Sequence, residues 1–294
     1  DLFGDGRDDL FVLTIGCNSG TPDDDLSDCN DLSVGRDGLF ERTGQGAFSD
    51  RTSLIPHDIG LVHDHKFAVT DIDDDGDNDL VVLADNSLGG GFGGVPNRHR
   101  ILYNRVDEDL GFEEDATPFA GLVGELFDIE VGDIDGDGQE DAVVPSCSPP
   151  VGSSELVVRG VNGGLVQSLS AMPSEKGGCM FGVHLFDADN DGDLELAVTG
   201  DVSGQLVVRL YVNRGDGTYV DASTWAPVFP NVFVRGGKLA SGDYDDDGDM
   251  DLVVAGADSG FTQLEGDVRL LSLEETGCCA LVEVNKGISS CASV

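Results

Sequence analysis

The sequence predicts an all-β fold made of repeated four-stranded units, and three observations carry that prediction. A nine-residue acidic segment occurs five times, beginning at residues 1, 71, 133, 187 and 243, at intervals of 70, 62, 54 and 56. A short apolar strand follows every copy. Between copies the apolar residues come in alternating or continuous short runs bounded by glycine turns, with no helical periodicity. Four antiparallel strands in a unit of this length read as one blade of a β-propeller. The expectation is therefore a single domain over residues 1–294 with five blades.

Composition narrows the function classes. The chain has 57 Asp+Glu against 16 Lys+Arg, a formal net charge of −41, and 42 glycines in 294 residues. Such an acidic excess repels nucleic acid and anionic lipid, so neither is expected as a partner. Disorder is excluded because 39% of the residues are hydrophobic, enough to bury a core. No apolar run is long enough for membrane insertion. Any signal peptide is expected to have been removed or to lie outside this sequence, which starts at Asp1.

The acid is clustered. The five segments are DLFGDGRDD, DIDDDGDND, DIDGDGQED, DADNDGDLE and DYDDDGDMD, and they hold 26 of the 57 acids, where even spreading would place about 9. Acids this dense repel one another unless a cation sits among them. Carboxylates at positions 1, 3 and 5 converge when the chain turns sharply, and glycine at position 6 permits the turn. Position 7 offers a backbone carbonyl, and the acid at position 9 can close the shell with both oxygens. An all-oxygen shell of this size suits Ca²⁺ better than Mg²⁺.

Up to five calcium ions are expected. The candidate ligands of loop one are Asp1, Asp5 and Asp9; of loop two, Asp71, Asp73, Asp75, Asp77 and Asp79. Loop three offers Asp133, Asp135, Asp137, Gln139 and Asp141; loop four, Asp187, Asp189, Asp191, Asp193 and Glu195. Loop five offers Asp243, Asp245, Asp247, Asp249 and Asp251. Loop one has Phe3 and Arg7 at positions 3 and 7; one ligand short and with a positive charge alongside, it is expected to be the weakest site.

The strands after the loops are LFVLTI, LVVLA, AVVPS, LELAV and LVVAG. Hairpins follow, most clearly in LVVRLYVNRGDGTYVDAS (Leu206 to Ser223) and more weakly in GLFERTGQGAFSDRT and ILYNRVDEDLGFEEDA. KFAVTD, FDIEVGD, GVHLFD and KLASGD lead into the next loop. On these loops, their strands and the N-x-G-D-G-T-Y turn at Asn213 to Tyr219, the chain resembles the FG-GAP/VCBS repeat family, the calcium-loop propellers that include the integrin α-subunit head. The resemblance covers essentially the whole chain and implies a calcium-bound propeller. It leaves function open, since such propellers serve as adhesins, lectins and scaffolds around enzymes. Members of the family usually have about seven blades, and five motifs are a departure from that.

Loop one has no strand before it, and the C-terminal tail supplies a candidate. Placed before Asp1, Ile288–Val294 aligns without a gap against the segment preceding loop five. Three arrangements follow. The tail completes the first blade of a closed five-bladed ring, it inserts into a neighbouring molecule to build a head-to-tail fibre, or the chain is a portion of a longer array.

Seven cysteines and expected extracellular calcium point to an oxidising compartment, secreted or at the cell surface. Cys17 with Cys29, Cys147 with Cys179, and Cys291 with Cys278 or Cys279 are the expected disulfides, leaving one thiol. His63 and His65 share a strand face, more simply a structural pair than a metal site. Arg214-Gly215-Asp216 spells an integrin-recognition tripeptide at a turn where the repeat itself needs Gly-Asp-Gly. The insertion Ser87 to Arg100 ends in a basic cluster and reads as a surface loop.

No G-x-S-x-G, H-E-x-x-H or phosphate-loop pattern occurs, so an enzyme is not expected. The expected function is adhesion or recognition of an extracellular protein or glycan, with structural calcium. The alternatives are a fibre subunit that self-associates through its terminal strand, and a non-catalytic scaffold of a polysaccharide-active enzyme. Trp225, the single tryptophan, gives little to stack a sugar on.

Overall fold

A computed structural model describes residues 1–13, 37–56, 64–84, 99–119, 125–147, 155–159, 165–170, 179–188, 190–202, 205–222, 228–229, 238–243, 250–257, 266–272 and 282–284. It divides into two compact units, residues 1–128 with 160–164, and residues 129–159 with 165–294. Among the described residues the fold is all-β, as the alternating apolar runs predict. Every pairing with a resolved register is antiparallel. The helical residues among those described form single 3-10 turns, at Thr52–Leu54, Val106–Glu108 and Thr117–Phe119.

The first unit holds two sheets. Sheet one contains β1 (Leu10–Val12), β2 (Gly38–Gly44) and β3 (Ala47–Asp50), in that order. Sheet two runs β4 (Asp64–Thr70), β5 (Asp79–Ala84), β6 (Arg100–Arg105) and β7 (Gly111–Asp115). The two-residue strand β8 (Glu125–Leu126) ends this unit's share of strands. Leu2, Phe11, Leu39, Ile55, Leu80, Val82, Leu102 and Phe112 form one buried cluster, joining side chains of both sheets. Phe11 meets Phe67 edge to face, with ring centroids 5.0 Å apart.

The second unit holds three sheets. In sheet three, β9 (Glu130–Gly132) and β11 (Glu155–Arg159) both pair with β10 (Asp141–Cys147), and β12 (Leu165–Ser170) pairs with β11. Sheet four runs β13 (Cys179–Phe186), β14 (Glu195–Val202), β15 (Gln205–Asn213) and β16 (Tyr219–Asp221). A short β17 (Val228–Phe229) also pairs with β15. Sheet five runs β18 (Lys238–Gly242), β19 (Asp251–Ala257), β20 (Gly266–Ser272) and β21 (Val282–Val284).

Sheet four shows why its central strand is apolar at consecutive positions. Leu196 and Val198 pack with Ile134 and Val143 of the preceding repeat, while Ala197 between them packs with Leu252 and Val254 of the next. Side chains alternate across a strand, so a sheet covered on both faces needs apolar residues at every position. Each acidic segment runs in sequence directly into a strand: β5, β10, β14 and β19 take this inner place, whereas β1 pairs only with β2 among the described residues.

Candidate metal centre

The loops fold on their own aspartates. In loop two the Asp71 carboxylate accepts the backbone N–H groups of Asp75 at 3.0 Å and Gly76 at 2.9 Å. Asp75 accepts that of Asp77 at 3.0 Å. The same three bonds recur in loop one from Asp5, Gly6 and Arg7, in loop three from Asp137, Gly138 and Gln139, and in loop four from Asp191, Gly192 and Asp193. Position 6 is glycine because φ is positive there, +79° to +99° across the four loops. Position 4 is also left-handed, and Gly4, Asp74, Gly136 and Asn190 occupy it. Glycine, Asn and Asp are the residues that visit this region most readily. Position 4 belongs to the motif although the acid pattern does not announce it; its residue types are the signal.

The acid at position 9 has a second task. Asp79 is fully buried; one oxygen accepts the N–H of Ile72 at 3.0 Å and the other that of Asn104, on β6, at 2.6 Å. Asp9 does the same with Leu2 and Arg42. Glu195 does so with Ala188 at 2.8 Å and Asn213 at 3.4 Å. Asp141 accepts the N–H of Ile134 at 3.2 Å. Position 9 therefore ties the start of the loop to its end and, in loops one, two and four, to the adjacent strand. Each carboxylate oxygen keeps a lone pair for a cation beyond these bonds.

Position 2 offers no ligand, yet Leu2, Ile72 and Ile134 are buried there, and Leu2 and Ile134 plug the cores beneath their loops. Two asparagines, Asn104 and Asn213, act on the loops as well, the second at the head of the N-x-G-D-G-T-Y turn. The Asn104 Nδ2 donates to Leu2 O of loop one at 2.7 Å and to Asn78 O of loop two at 3.1 Å. The Asn213 Nδ2 donates to Ile134 O of loop three at 2.8 Å and to Leu194 O of loop four at 3.3 Å. In each pair a single buried amide staples consecutive loops. The repeated Asn-Arg after an apolar strand was the available signal.

In loop two, one carboxylate oxygen from each of Asp71, Asp73 and Asp79 lie within 4.8 Å of one another; in loop three Asp133, Asp135 and Asp141 do the same. Both groups could hold a metal ion. Oδ1 of Asp73 is buried and has no hydrogen-bond partner among the described residues, as fits an oxygen available to a cation. Burial, then the charges of Asp73 and Asp75, raises the Asp79 carboxyl to about 7. Burial and the other loop-three aspartates raise Asp141 to about 6. Burial first, then Asp107, Asp75 and Asp71, pushes Asp77 up as well. These acids are costly to ionise together without a counter-charge, and an oxygen-only donor set fits a hard divalent cation.

In loop one Arg7 pairs with Asp5, and Phe3 is half-buried against the core. In loop four Asp187, Asp191, Asp193 and Glu195 are in place, whereas Asp189 lies outside the described residues. Of the candidate ligands of loop five, Asp243 and Asp251 are described; Asp245, Asp247 and Asp249 lie outside.

Also outside the described residues are Cys17, Cys29, Cys278, Cys279 and Cys291, as are His57, His63, Trp225, residues 85–98 and the tail 288–294. Cys147 and Cys179 fall on β10 and β13 with their side chains, like that of His65, undescribed. Arg214-Gly215-Asp216 forms the β15–β16 turn. Asp216 accepts the Thr218 N–H at 3.0 Å, and a Cβ on Gly215 would lie 2.6 Å from Asp193 Oδ2. No helix among the described residues is long and apolar enough to cross a membrane.

No curated protein matches the chain. Residues 187–254, from the start of loop four to the strand after loop five, match the family model of the FG-GAP-like repeat. The chain thus carries an FG-GAP-like repeat, the family its five acidic loops resemble.

Proposed function

We propose that the chain is an extracellular, calcium-stabilised β-propeller of five four-stranded blades, whose faces serve adhesion or recognition of a carbohydrate or protein. The carrying observation is the recurrence of one loop geometry in four sheets, with the acids converged in loops two and three and the position-9 acid bonded to the next strand in loops one, two and four. A cation held there ties strand to strand, so its binding energy becomes folding energy. Five acidic loops that differ mainly in graded ligand loss support a structural metal better than a reaction centre.

Calcium should raise the melting temperature by well over 5 °C, read by differential scanning calorimetry in calcium-treated and chelated samples. A melting temperature indifferent to calcium would sink the structural role. Recognition is tested by a glycan array, probed with and without calcium, beside a pull-down against extracellular matrix proteins. Binding that survives unfolding of the chain would count against a propeller-face site.

A specific observation keeps strand addition in view. Among the described residues β1 pairs only with β2, and its Leu10 and Val12 are 46% and 41% exposed. Their counterparts Leu80 and Val82, or Leu196 and Val198, are fully buried. The reading assigns this edge to residues 288–294, which complete the first blade within one chain. Filling the same edge from a neighbouring molecule gives the fibre. Light scattering on the purified chain separates the two, since only the second grows with concentration.

A further inference from the structure

Loop two carries an arginine on its ligands; among the described residues loop three carries none. Arg105 ends β6 immediately after the staple residue Asn104. Its Nη2 donates to Asp73 Oδ2 at 2.6 Å, and its Nη1 donates to Asp75 Oδ2. One guanidinium thus spans the carboxylates at positions 3 and 5, two of the side chains a cation would use. The arginine is held in place: its side chain is 19% exposed, Nη1 also donates to Asn104 O at 3.2 Å, and Cζ lies 5.3 Å from the centroid of the Tyr103 ring. Loop three has the equivalent carboxylate group. Among the described residues no basic side chain pairs with its Asp133, Asp135, Asp137 or Asp141.

We propose that Arg105 is a built-in counter-ion of loop two, which keeps the loop folded when calcium is scarce and must be displaced before calcium binds there. The inference rests on the reading of these loops as calcium sites. A guanidinium and a divalent cation compete for the charge of the same two carboxylates, Asp73 and Asp75. The guanidinium is monovalent and reaches two carboxylates as a flat fork, whereas calcium draws in oxygens from positions 1, 3, 5 and 9 together. Calcium therefore wins at high concentration, and Arg105 swings out to solvent. Two loops of nearly the same ligand chemistry are thereby set to different affinities: loop three fills first, and loop two fills as calcium rises further.

The test is calorimetric titration of calcium into the full chain, freed of metal on a chelating resin, comparing Arg105→Gln with Arg51→Gln. Arg51 pairs with Glu41 at 2.7 Å on the surface of the same unit, so its loss removes one positive charge without touching a loop. R105Q should tighten one site about tenfold and lower the melting temperature in metal-free buffer, with wild-type stability regained at saturating calcium. Arg105→Lys, which keeps the charge but loses the fork, should fall between. If R105Q binds calcium with the same profile as R51Q, the proposal is overturned while the calcium reading stands. Absence of calcium binding in every variant, wild type included, overturns the calcium reading and this proposal with it. Should R105Q fold only with calcium present, release into excess chelator measured by stopped flow replaces the titration. One slowed phase supports the proposal, and unchanged release kinetics overturn it.

Discussion

Asp79 and Asp141 are acids placed where acids are expensive. Both are raised by burial, to about 7 and about 6, from an ordinary value of 3.8. Without a cation the folded chain binds protons that the unfolded chain has already released. Their contribution to stability is complete below pH 3.8 and is lost as the pH rises through 6 to 7. Metal-free protein should therefore melt lower at pH 8 than at pH 5, and saturating calcium should flatten that slope. Thermal melts in resin-treated buffers check this. The double variant Asp79→Asn, Asp141→Asn should lose part of the slope; an unchanged slope would move its origin to the general self-repulsion of the acidic chain. Asn213 is the second telling residue. Replacing it with alanine removes the amide donor from Ile134 O, while Leu194 O keeps the Tyr219 hydroxyl at 2.9 Å; the cost should be about 1–3 kcal/mol, measurable by urea denaturation. The cost should persist in saturating calcium, because the amide bonds carbonyls and not carboxylates.

At the scale of the element, the nine-residue loop owes its shape to backbone as much as to charge. Positions 4 and 6 both sit in the left-handed region, and a Cβ on Gly192 would meet nothing within 4 Å. Gly192→Ala should thus cost about 1 kcal/mol through conformation alone, and chemical denaturation of the variant checks this. The acids, the position-6 glycine and the following strand were legible in the sequence, since carboxylate spacing and a sharp turn follow from residue type. Two features were not. The buried apolar residue at position 2 looks like a spacer until the sheet beneath it is seen. Asn104 and Asn213 look like turn residues until their amides are found between two loops that lie 102 and 79 residues away in sequence from their farther partners.

For the molecule as a whole, charge and closure are linked questions. Five divalent ions would bring −41 to about −31, so the chain stays acidic when loaded. Deleting residues 288–294 should lower the melting temperature of a monomeric, closed propeller and leave β1 open to self-association. Calorimetry and light scattering on the truncated chain check the two effects together. Unchanged stability in a monomer would remove the tail from the first blade.

By itself the sequence determined the all-β class, the five acidic repeats, the oxygen chemistry of the loops and the strand that follows each. All of these depend on residue type and short spacing. Only the tertiary structure decided that the position-9 acid is buried between two backbone donors, that one asparagine staples consecutive loops, and that Arg105 lies across Asp73 and Asp75. Apart from the position-9 bond to its own loop, seven residues away, those contacts join residues 18 to 102 positions apart, and no local pattern encodes which distant backbone group a side chain will meet. Packing of one sheet on the next brings them together, and burial then sets their charge.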